Sequence, residues 1–273
     1  MDCDRWSYFV LFGLLGLFSF FGKAAAAPAG PVAPEVQSID HSPWTATLQR
    51  FVNDAGLVDY RGLAQDRAVF DAYVKLVETV SPENRPDLFP SRNHELAFYL
   101  NAYNAITWKG VVDRGPEEES VWKGAISGLN FFKLMKIQVG GRTTNLSDFE
   151  NDVIRARYQD PRVHAALNCA SIGCPKLVRA AFLPETLDAQ LDDAVRQWVA
   201  TPYHVEPDPA QRKVRVNKIF DWFEGDFVGE DKKRGAAKAS VIGWINRYRA
   251  ADAQIPADFK LEINDYDKRV NKQ

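Results

Sequence analysis

Residues 94–112, HELAFYLNAYNAITWKGVV, are the stretch that most limits how this chain can fold. Apolar residues occupy nearly every side of the helix that this stretch predicts, so the helix must be buried on all faces. Asn101 and Asn104 interrupt it three residues apart and therefore share one face. An unpaired buried amide costs about 1–3 kcal/mol, so we expect both asparagines to hydrogen bond to a neighbouring segment.

The rest of the sequence can supply the core that such a helix needs. Of the 273 residues, 46 % are hydrophobic and seven are tryptophan, which suits one large domain. Periodic apolar residues predict further helices, and short alternating runs predict strands on either side of Gly140 and Gly141, within 203–216 and at 259–264. We therefore expect an α+β fold, a helix-rich single domain with a small, mostly antiparallel sheet.

Local signals also predict the elements around a cysteine-rich segment, VHAALNCASIGCPKL at 163–177. Ser147 and Glu150 have the spacing of a capping box in a helix over 145–158. The run PRVHAAL, 161–167, predicts a buried strand that leads into the cysteines. Further helices are expected over 185–200 and 236–249.

The N-terminus has the layout of a secretory signal peptide. An apolar run over 7–21 is followed by AAAAP at 24–28, and the run is shorter than the roughly 20 residues of a membrane span. We expect a signal peptide at 1–26, a proline-rich linker at 27–42 and the domain at 43–273. The expected location is periplasmic or secreted, with no membrane span after cleavage, and an uncleaved anchor is the alternative.

The charge balance does not favour nucleic acid as a partner. The chain carries 34 basic and 36 acidic residues, a net charge of −2, with no strongly basic region. The expected partner is instead a peptide or another amide-containing substrate, or a second protein.

Two cysteines remain once Cys3 leaves with the signal peptide, and they permit two interpretations. Paired cysteines are usual in an oxidising compartment, and a Cys169–Cys174 disulfide would contribute roughly 2 kcal/mol. Alternatively, Cys169 is a nucleophile whose turn offers backbone amides that could hold an oxyanion. His164 is the nearest candidate base, although regular strand alternation would place it on the other face from Cys169.

A metal site is not expected here. His164, Cys169 and Cys174 give an H-x4-C-x4-C pattern, which is wide for structural zinc and lacks a fourth ligand. No cofactor-binding motif is present either. In 219–227, IFDWFEGDF, one of three carboxylates could orient a histidine, but the sequence does not choose among them.

Four ordered motifs resemble a family of proteins known as domain of unknown function 547. They are GLVDYRGL (56–63), FYLNAYNAIT (98–107), DPRVHAALNCASIGCPKL (160–177) and NKIFDWFEGDF (217–227). The resemblance implies an exported bacterial protein without a settled activity. It also implies that the first loop cysteine is kept where the second becomes serine, which favours Cys169 as the functional thiol. Gly173 departs from the serine common in the family.

The resemblance and the residues together give our expected site. The catalytic residues would be Cys169, His164, Asn101 and Asn104, and the substrate-binding residues would be Tyr103, Ser171, Trp222 and Asp226. The expected function is a thiol-dependent acyl-transfer or hydrolase-like enzyme, papain- or transglutaminase-like in its logic, acting on a peptide, amide or isopeptide bond. The alternative is a non-catalytic exported binding or assembly domain with a structural Cys169–Cys174 disulfide. Thiol–disulfide exchange by this pair is a third possibility.

Overall fold

The computed structural model of the protein describes residues 38–124, 126 and 128–273. The predicted signal peptide and residues 27–37 of the predicted linker lie outside these residues. Three helices pack around one long helix, α4 (Arg92–Arg114). The three are α1 (Ser42–Phe51), α2 (Tyr60–Gln65) and α3 (Ala68–Thr79).

Helix α4 is the buried central helix that the sequence predicts. Ser91 caps it by accepting a hydrogen bond from the N–H of His94, and from Leu96 to Val112 every residue except Lys109 is buried. The helix packs against α2 and α3, and its Trp108 ring contacts Trp44 of α1.

The remaining helical segments are all shorter than α4, and two of them are π-helical. They are the single turns Pro86–Leu88 and Ala251–Ala253, the π-helices Leu129–Leu134 and Phe149–Arg155, and the helices α5 (Leu146–Asp148), α6 (Ala156–Tyr158), α7 (Val163–Ala166), α8 (Leu187–Ala200), α9 (Ile219–Trp222), α10 (Glu224–Lys233) and α11 (Val241–Asn246). None of the described helices is both long and apolar enough to cross a membrane.

The strands form two small sheets, so the α+β class is confirmed. Strands β1 (Ile137–Val139) and β2 (Arg142–Thr144) pair antiparallel around Gly140 and Gly141, whose φ angles of 56° and 77° fit the tight turn that the sequence predicts. Strands β3 (Val205–Asp208) and β4 (Lys213–Val216) pair antiparallel within 203–216, where the sequence predicts strands. Strand β5 (Lys260–Ile263) joins β4 in parallel.

Two hydrophobic clusters form the core of the unit that spans Val36–Gln273. The first surrounds α4, and the second lies between α8, the three-stranded sheet and α9–α11. Helix α7 contributes to both, with Val163 and Ala166 in the first and Ala165 in the second. The cysteines that follow α7 therefore lie where the two clusters meet.

Two local predictions around the cysteines are wrong. Residues 163–166 form helix α7 and not a strand, because Asp160 accepts the N–H of Arg162 at 3.0 Å and Pro161 suits a first helical turn. The helix at 146–158 begins at Asn145, whose side chain accepts the N–H of Asp148. The predicted capping box of Ser147 and Glu150 is therefore not the cap.

Candidate active site

Cys169 and Cys174 lie side by side at the two ends of the cysteine loop, residues 169–174. Both are free thiols with their Sγ atoms 2.7 Å apart, so the predicted disulfide is not formed in this structure. The chain turns back between them at Ala170, which has a left-handed φ of 58°. Cys174 is buried and Cys169 is half-buried, so Cys169 is the more accessible thiol.

The hydroxyl of Tyr266 contacts both sulfurs, 3.0 Å from Cys169 and 3.1 Å from Cys174. The hydrogen bond that Cys169 donates to Cys174, together with burial, raises the pKa of Cys169 well above its ordinary value. Burial also acts to raise the pKa of Cys174, but hydrogen bonds from Cys169 and Tyr266 outweigh it and lower that pKa. When the pair loses one proton, the negative charge is therefore held on Cys174.

Most backbone amides of the cysteine loop already donate hydrogen bonds within the protein. Ile172 and Gly173 donate to the carbonyls of Arg269 and Asp267, which fastens the loop to the chain at 267–271. The engaged amides are those of Cys169, Ala170, Ile172, Gly173 and Cys174. In this arrangement these five amides are not available to an oxyanion, contrary to the expectation from the sequence.

His164 is oriented by a carboxylate from α10. Its Nε2 lies 2.8 Å from Oδ2 of Asp226, and its ring stacks on Phe223 with the ring centroids 4.2 Å apart. Arg155 donates two further hydrogen bonds to the same carboxylate, at 2.8 and 2.9 Å. Burial acts to raise the pKa of Asp226, but the hydrogen bonds from His164 and Arg155 hold it at about 2. Asp226 is thus the carboxylate, among the three in 219–227, that orients a histidine.

Glu150 adds a further titratable group on the π-helix Phe149–Arg155. Its Oε2 accepts a hydrogen bond of 3.0 Å from the hydroxyl of Tyr103. Burial raises the pKa of Glu150 above its ordinary value. π-Helical turns are frequent at functional sites, and this one carries both Glu150 and Arg155, the arginine that binds Asp226.

Asn101 and Asn104 hold two different segments by matched pairs of hydrogen bonds. Asn104 donates to the carbonyl of Ala166 and accepts from the N–H of Asn168, both at 2.9 Å. Asn101 makes the same two bonds with the backbone of Phe182, at 2.8 and 2.9 Å. Asn104 therefore positions the chain that leads into the cysteine loop, whereas Asn101 fixes a segment beyond it.

A cleft with a volume of about 560 Å³ brings part of the predicted catalytic set together. Cys169 and His164 both line it, while Asn101 and Asn104 lie behind the cysteine loop, outside the cleft. Within the described residues no hydrogen bond joins His164 to Cys169, because the histidine bonds to Asp226 and the thiol to Cys174 and Tyr266.

Of the four predicted substrate-binding residues, two line the cleft and two do not. Tyr103 and Trp222 line the cleft. Ser171 is buried and accepts a hydrogen bond of 2.7 Å from Nε1 of Trp122. Asp226 holds His164 from behind, which makes it a positioning residue in this structure.

Four residues of the site escaped the sequence reasoning: Arg155, Glu150, Trp122 and Tyr266. Glu150 and Arg155 lie among the buried apolar residues Phe149 and Ile154, and charged residues on an apolar helix face are a usable signal. Tyr266 is 97 positions away from Cys169, and no local pattern distinguishes it.

Comparison with known families agrees with the motifs. Residues 88–199 match the family described as "Protein of unknown function, DUF547". The match covers 112 of the 273 residues, so the likeness to this family is shown for that segment of the chain. No curated protein and no solved structure matches the chain significantly. The DUF547 match includes His164, Cys169 and Cys174, whereas Asp226 and Tyr266 lie beyond it. Bacterial origin and export are not addressed by the match and stay predictions.

The described residues contain no cluster suited to a metal ion. Among them, no group of three or more His, Cys, Asp or Glu side chains is arranged to hold one. The contacts of Cys169 and Cys174 are with each other and with Tyr266, and those of His164 are with Asp226.

Proposed function

We propose that the protein is a thiol-dependent acyl-transfer or hydrolase-like enzyme that acts on a peptide, amide or isopeptide bond through Cys169. The observation that carries the proposal is the cleft, which is lined by an accessible thiol in contact with a second thiol and by a histidine held on a carboxylate. Nucleophile, base and orienting group are the parts that covalent acyl transfer requires.

The contacts favour Cys174 as the group that first receives the proton of Cys169. The reaction starts from the singly ionised pair: as the sulfur of Cys169 bonds to the carbonyl carbon, its proton passes to the Cys174 sulfur 2.7 Å away. His164, held by Asp226, gives a proton to the leaving amine as the C–N bond breaks. This differs from the expectation that His164 takes the proton of Cys169 directly.

The second half of the reaction restores every group. Water, or an acceptor amine in a transfer reaction, attacks the thioester and gives a proton to His164. The C–S bond breaks, and the released Cys169 thiolate recovers its proton from Cys174. The sum is one amide bond exchanged for water or amine, with both thiols and the histidine returned to their starting states.

Formation of the covalent intermediate tests this proposal. The reduced protein is treated with a panel of peptidyl p-nitrophenyl esters and the intact mass and modified peptide are determined. We expect acylation at Cys169 in the wild type, none in Cys169→Ala, and a Cys169→Ala melting temperature close to that of the wild type. Acylation no faster than that of glutathione would overturn the proposal.

A second candidate function rests on the contact between the two thiols. The cysteine loop is fastened to 267–271, so the pair is held together in a position from which a disulfide could close, and the domain would then be a non-catalytic binding or assembly module. Oxidised glutathione, as a disulfide oxidant, would accept the two electrons and two protons. Loss of two hydrogens by mass, with a melting temperature raised and then restored by reductant, would favour this candidate.

We also propose export to the periplasm or the medium, based on the signal-like sequence before residue 27. Expression of the full chain followed by N-terminal sequencing of the exported fraction tests it. A mature N-terminus near Ala27 supports the proposal, and an intact chain retained in the cell argues against it.

A further inference from the structure

Three aromatic side chains form one side of the cleft next to the thiols. Trp122 and Trp222 stack with their ring centroids 5.7 Å apart and their planes 27° from parallel. Tyr266 contacts Trp222 with a centroid distance of 4.9 Å, and its hydroxyl lies 3.0 Å from Sγ of Cys169. The aromatic wall, Trp122, Trp222 and Tyr266, therefore starts at the reactive sulfur and extends toward solvent.

The aromatic wall is fixed to the cysteine loop at two points. Nε1 of Trp122 donates its 2.7 Å hydrogen bond to Oγ of Ser171. The ring of Tyr266 rests against Gly173, where an added Cβ would come within 2.6 Å of Cε2 of the tyrosine. Both anchors belong to the loop that carries the cysteines, so the wall and the sulfur keep a constant relative position.

The outer part of the wall is exposed although it is strongly apolar. Trp222 is 42 % exposed, and Ile126, which lines the same cleft, is 64 % exposed. Large apolar side chains gathered at the mouth of a concave site are typical of ligand-binding surfaces. The polar groups His164 and Glu150 also line this cleft, which gives the site an apolar part and a part suited to proton transfer.

The charged lysines of the cleft do not interrupt the wall. Lys133 is paired with Asp148 at 2.6 Å, and the ammonium of Lys268 lies over the Trp122 ring, 5.6 Å from its centroid. The exposed part of Trp222 offers contact area to a flat apolar group, and two rings in contact gain more than their buried area alone provides.

We propose that the aromatic wall binds an aromatic side chain of the substrate, adjacent to the acyl group that Cys169 attacks. This inference rests on the proposed function and adds the substrate class. A cleft of about 560 Å³ accommodates one such side chain with the neighbouring backbone. The ring of the substrate would cover Trp222 while its carbonyl carbon faces the sulfur.

Two alkylating reagents of matched reactivity test the inference without a known substrate. N-methylmaleimide and N-benzylmaleimide are reacted with the reduced protein, each rate is divided by the rate with glutathione, and the labelled peptide is identified by mass. We expect the benzyl reagent to label Cys169 about tenfold faster by this ratio, with saturation. N-acetylphenylalanine amide should protect Cys169, and N-acetylglycine amide should not.

Substitutions at the wall assign the effect to its residues. Trp222→Ala should remove the benzyl preference, and Trp222→Phe should retain most of it. Leu134→Ala is the matched control, since Leu134 is 58 % exposed and lies outside the cleft, and its preference should equal that of the wild type. Melting curves establish that each variant is folded.

The outcomes separate this inference from the function on which it rests. Equal normalised rates for the two reagents in the wild type, or a benzyl preference that survives Trp222→Ala, would overturn binding at the aromatic wall. Rapid labelling of Cys169 by both reagents would at the same time leave the proposed thiol chemistry standing. Failure of either reagent to label Cys169 in the reduced protein would count against the thiol chemistry itself.

Discussion

His164 and Asp226 are joined by a hydrogen bond of 2.8 Å across 62 positions of sequence. The histidine belongs to α7, next to the cysteine loop, and the aspartate belongs to α10, which packs in the second hydrophobic cluster. Arg155 holds the carboxylate from a third segment. The orientation of the imidazole therefore depends on the docking of the two clusters and not on local sequence.

The Asp226 carboxylate should make stability depend on pH in the acid range. Its pKa of about 2 in the folded protein lies below the ordinary 3.8, so its contribution is present above about pH 4 and is lost as the pH falls toward 2. Asp226 is 30 % exposed, so we expect the wild type to lose only about 1–2 kcal/mol more than Asp226→Asn over this range. Urea unfolding at a series of pH values measures the difference.

Asp221→Asn is the matched control for that series. Its side chain pairs with Lys218 at the surface of the same region, so the Asp221→Asn variant should lose as much free energy of unfolding as the wild type when the pH falls. If Asp226→Asn and the wild type lost stability in parallel, the His164–Asp226–Arg155 arrangement would not hold in solution.

The two asparagines of α4 give a matched pair of substitutions with different consequences. Asn101→Ala and Asn104→Ala each leave one buried carbonyl and one buried N–H unpaired, so each should lower the free energy of unfolding by about 2–4 kcal/mol. Of the two variants, Asn104→Ala should change the alkylation rate of Cys169, because Asn104, and not Asn101, bonds to the chain that leads into the cysteine loop. Equal changes in the Cys169 rate for both variants would contradict this division.

The hydroxyl of Tyr266 should control ionisation of the thiol pair. Tyr266→Phe removes the hydroxyl that contacts both sulfurs, and a hydrogen bond to a charged group is worth about 1.5–3 kcal/mol, or roughly one to two pH units. We expect the first thiolate to appear at correspondingly higher pH when absorbance near 240 nm is followed. Tyr248→Phe, in the second hydrophobic cluster, should leave the titration unchanged. A Tyr266→Phe titration that overlays the wild type would refute the role of the hydroxyl.

Two glycine-to-alanine substitutions should have opposite effects on stability. At Gly173 the new methyl group would lie 2.6 Å from the Tyr266 ring, so Gly173→Ala should destabilise by about 1–3 kcal/mol. At Gly229, inside α10, nothing lies within 4 Å of an added Cβ, so Gly229→Ala should stabilise by about 0.5–1 kcal/mol. Thermal unfolding of both variants measures the change in stability. A stabilising Gly173→Ala would show that the Tyr266 ring does not pack against the cysteine loop.

The parts of the fold that sequence predicts correctly are those with a strong local cause. The apolar run at 94–112 predicts the buried helix α4, and its asparagines are paired as expected. The positive φ angles at Gly140 and Gly141 follow from glycine's lack of a Cβ. The adjacency of Cys169 and Cys174 follows from a short loop of small residues.

Other parts depend on contacts that no local pattern specifies. Apolar residues in 163–167 fit a buried strand equally well, and Asp160 with Pro161 decides for a helix by favouring its first turn. Glu150 has the spacing of a capping residue, yet Asn145 takes the cap and leaves Glu150 to Tyr103. Tyr266 reaches the sulfurs through tertiary folding alone.

The attachment of the cysteine loop to 267–271 has a consequence for the order of events during synthesis. The carbonyls of Asp267 and Arg269 and the hydroxyl of Tyr266 reach the loop only after the ribosome has made about a hundred further residues beyond Cys169. Until then the two thiols lack the hydroxyl that both of them contact. In a nascent or truncated chain that ends before residue 266, the cysteine loop is without these contacts, so the surroundings that set the ionisation of the thiol pair are completed last.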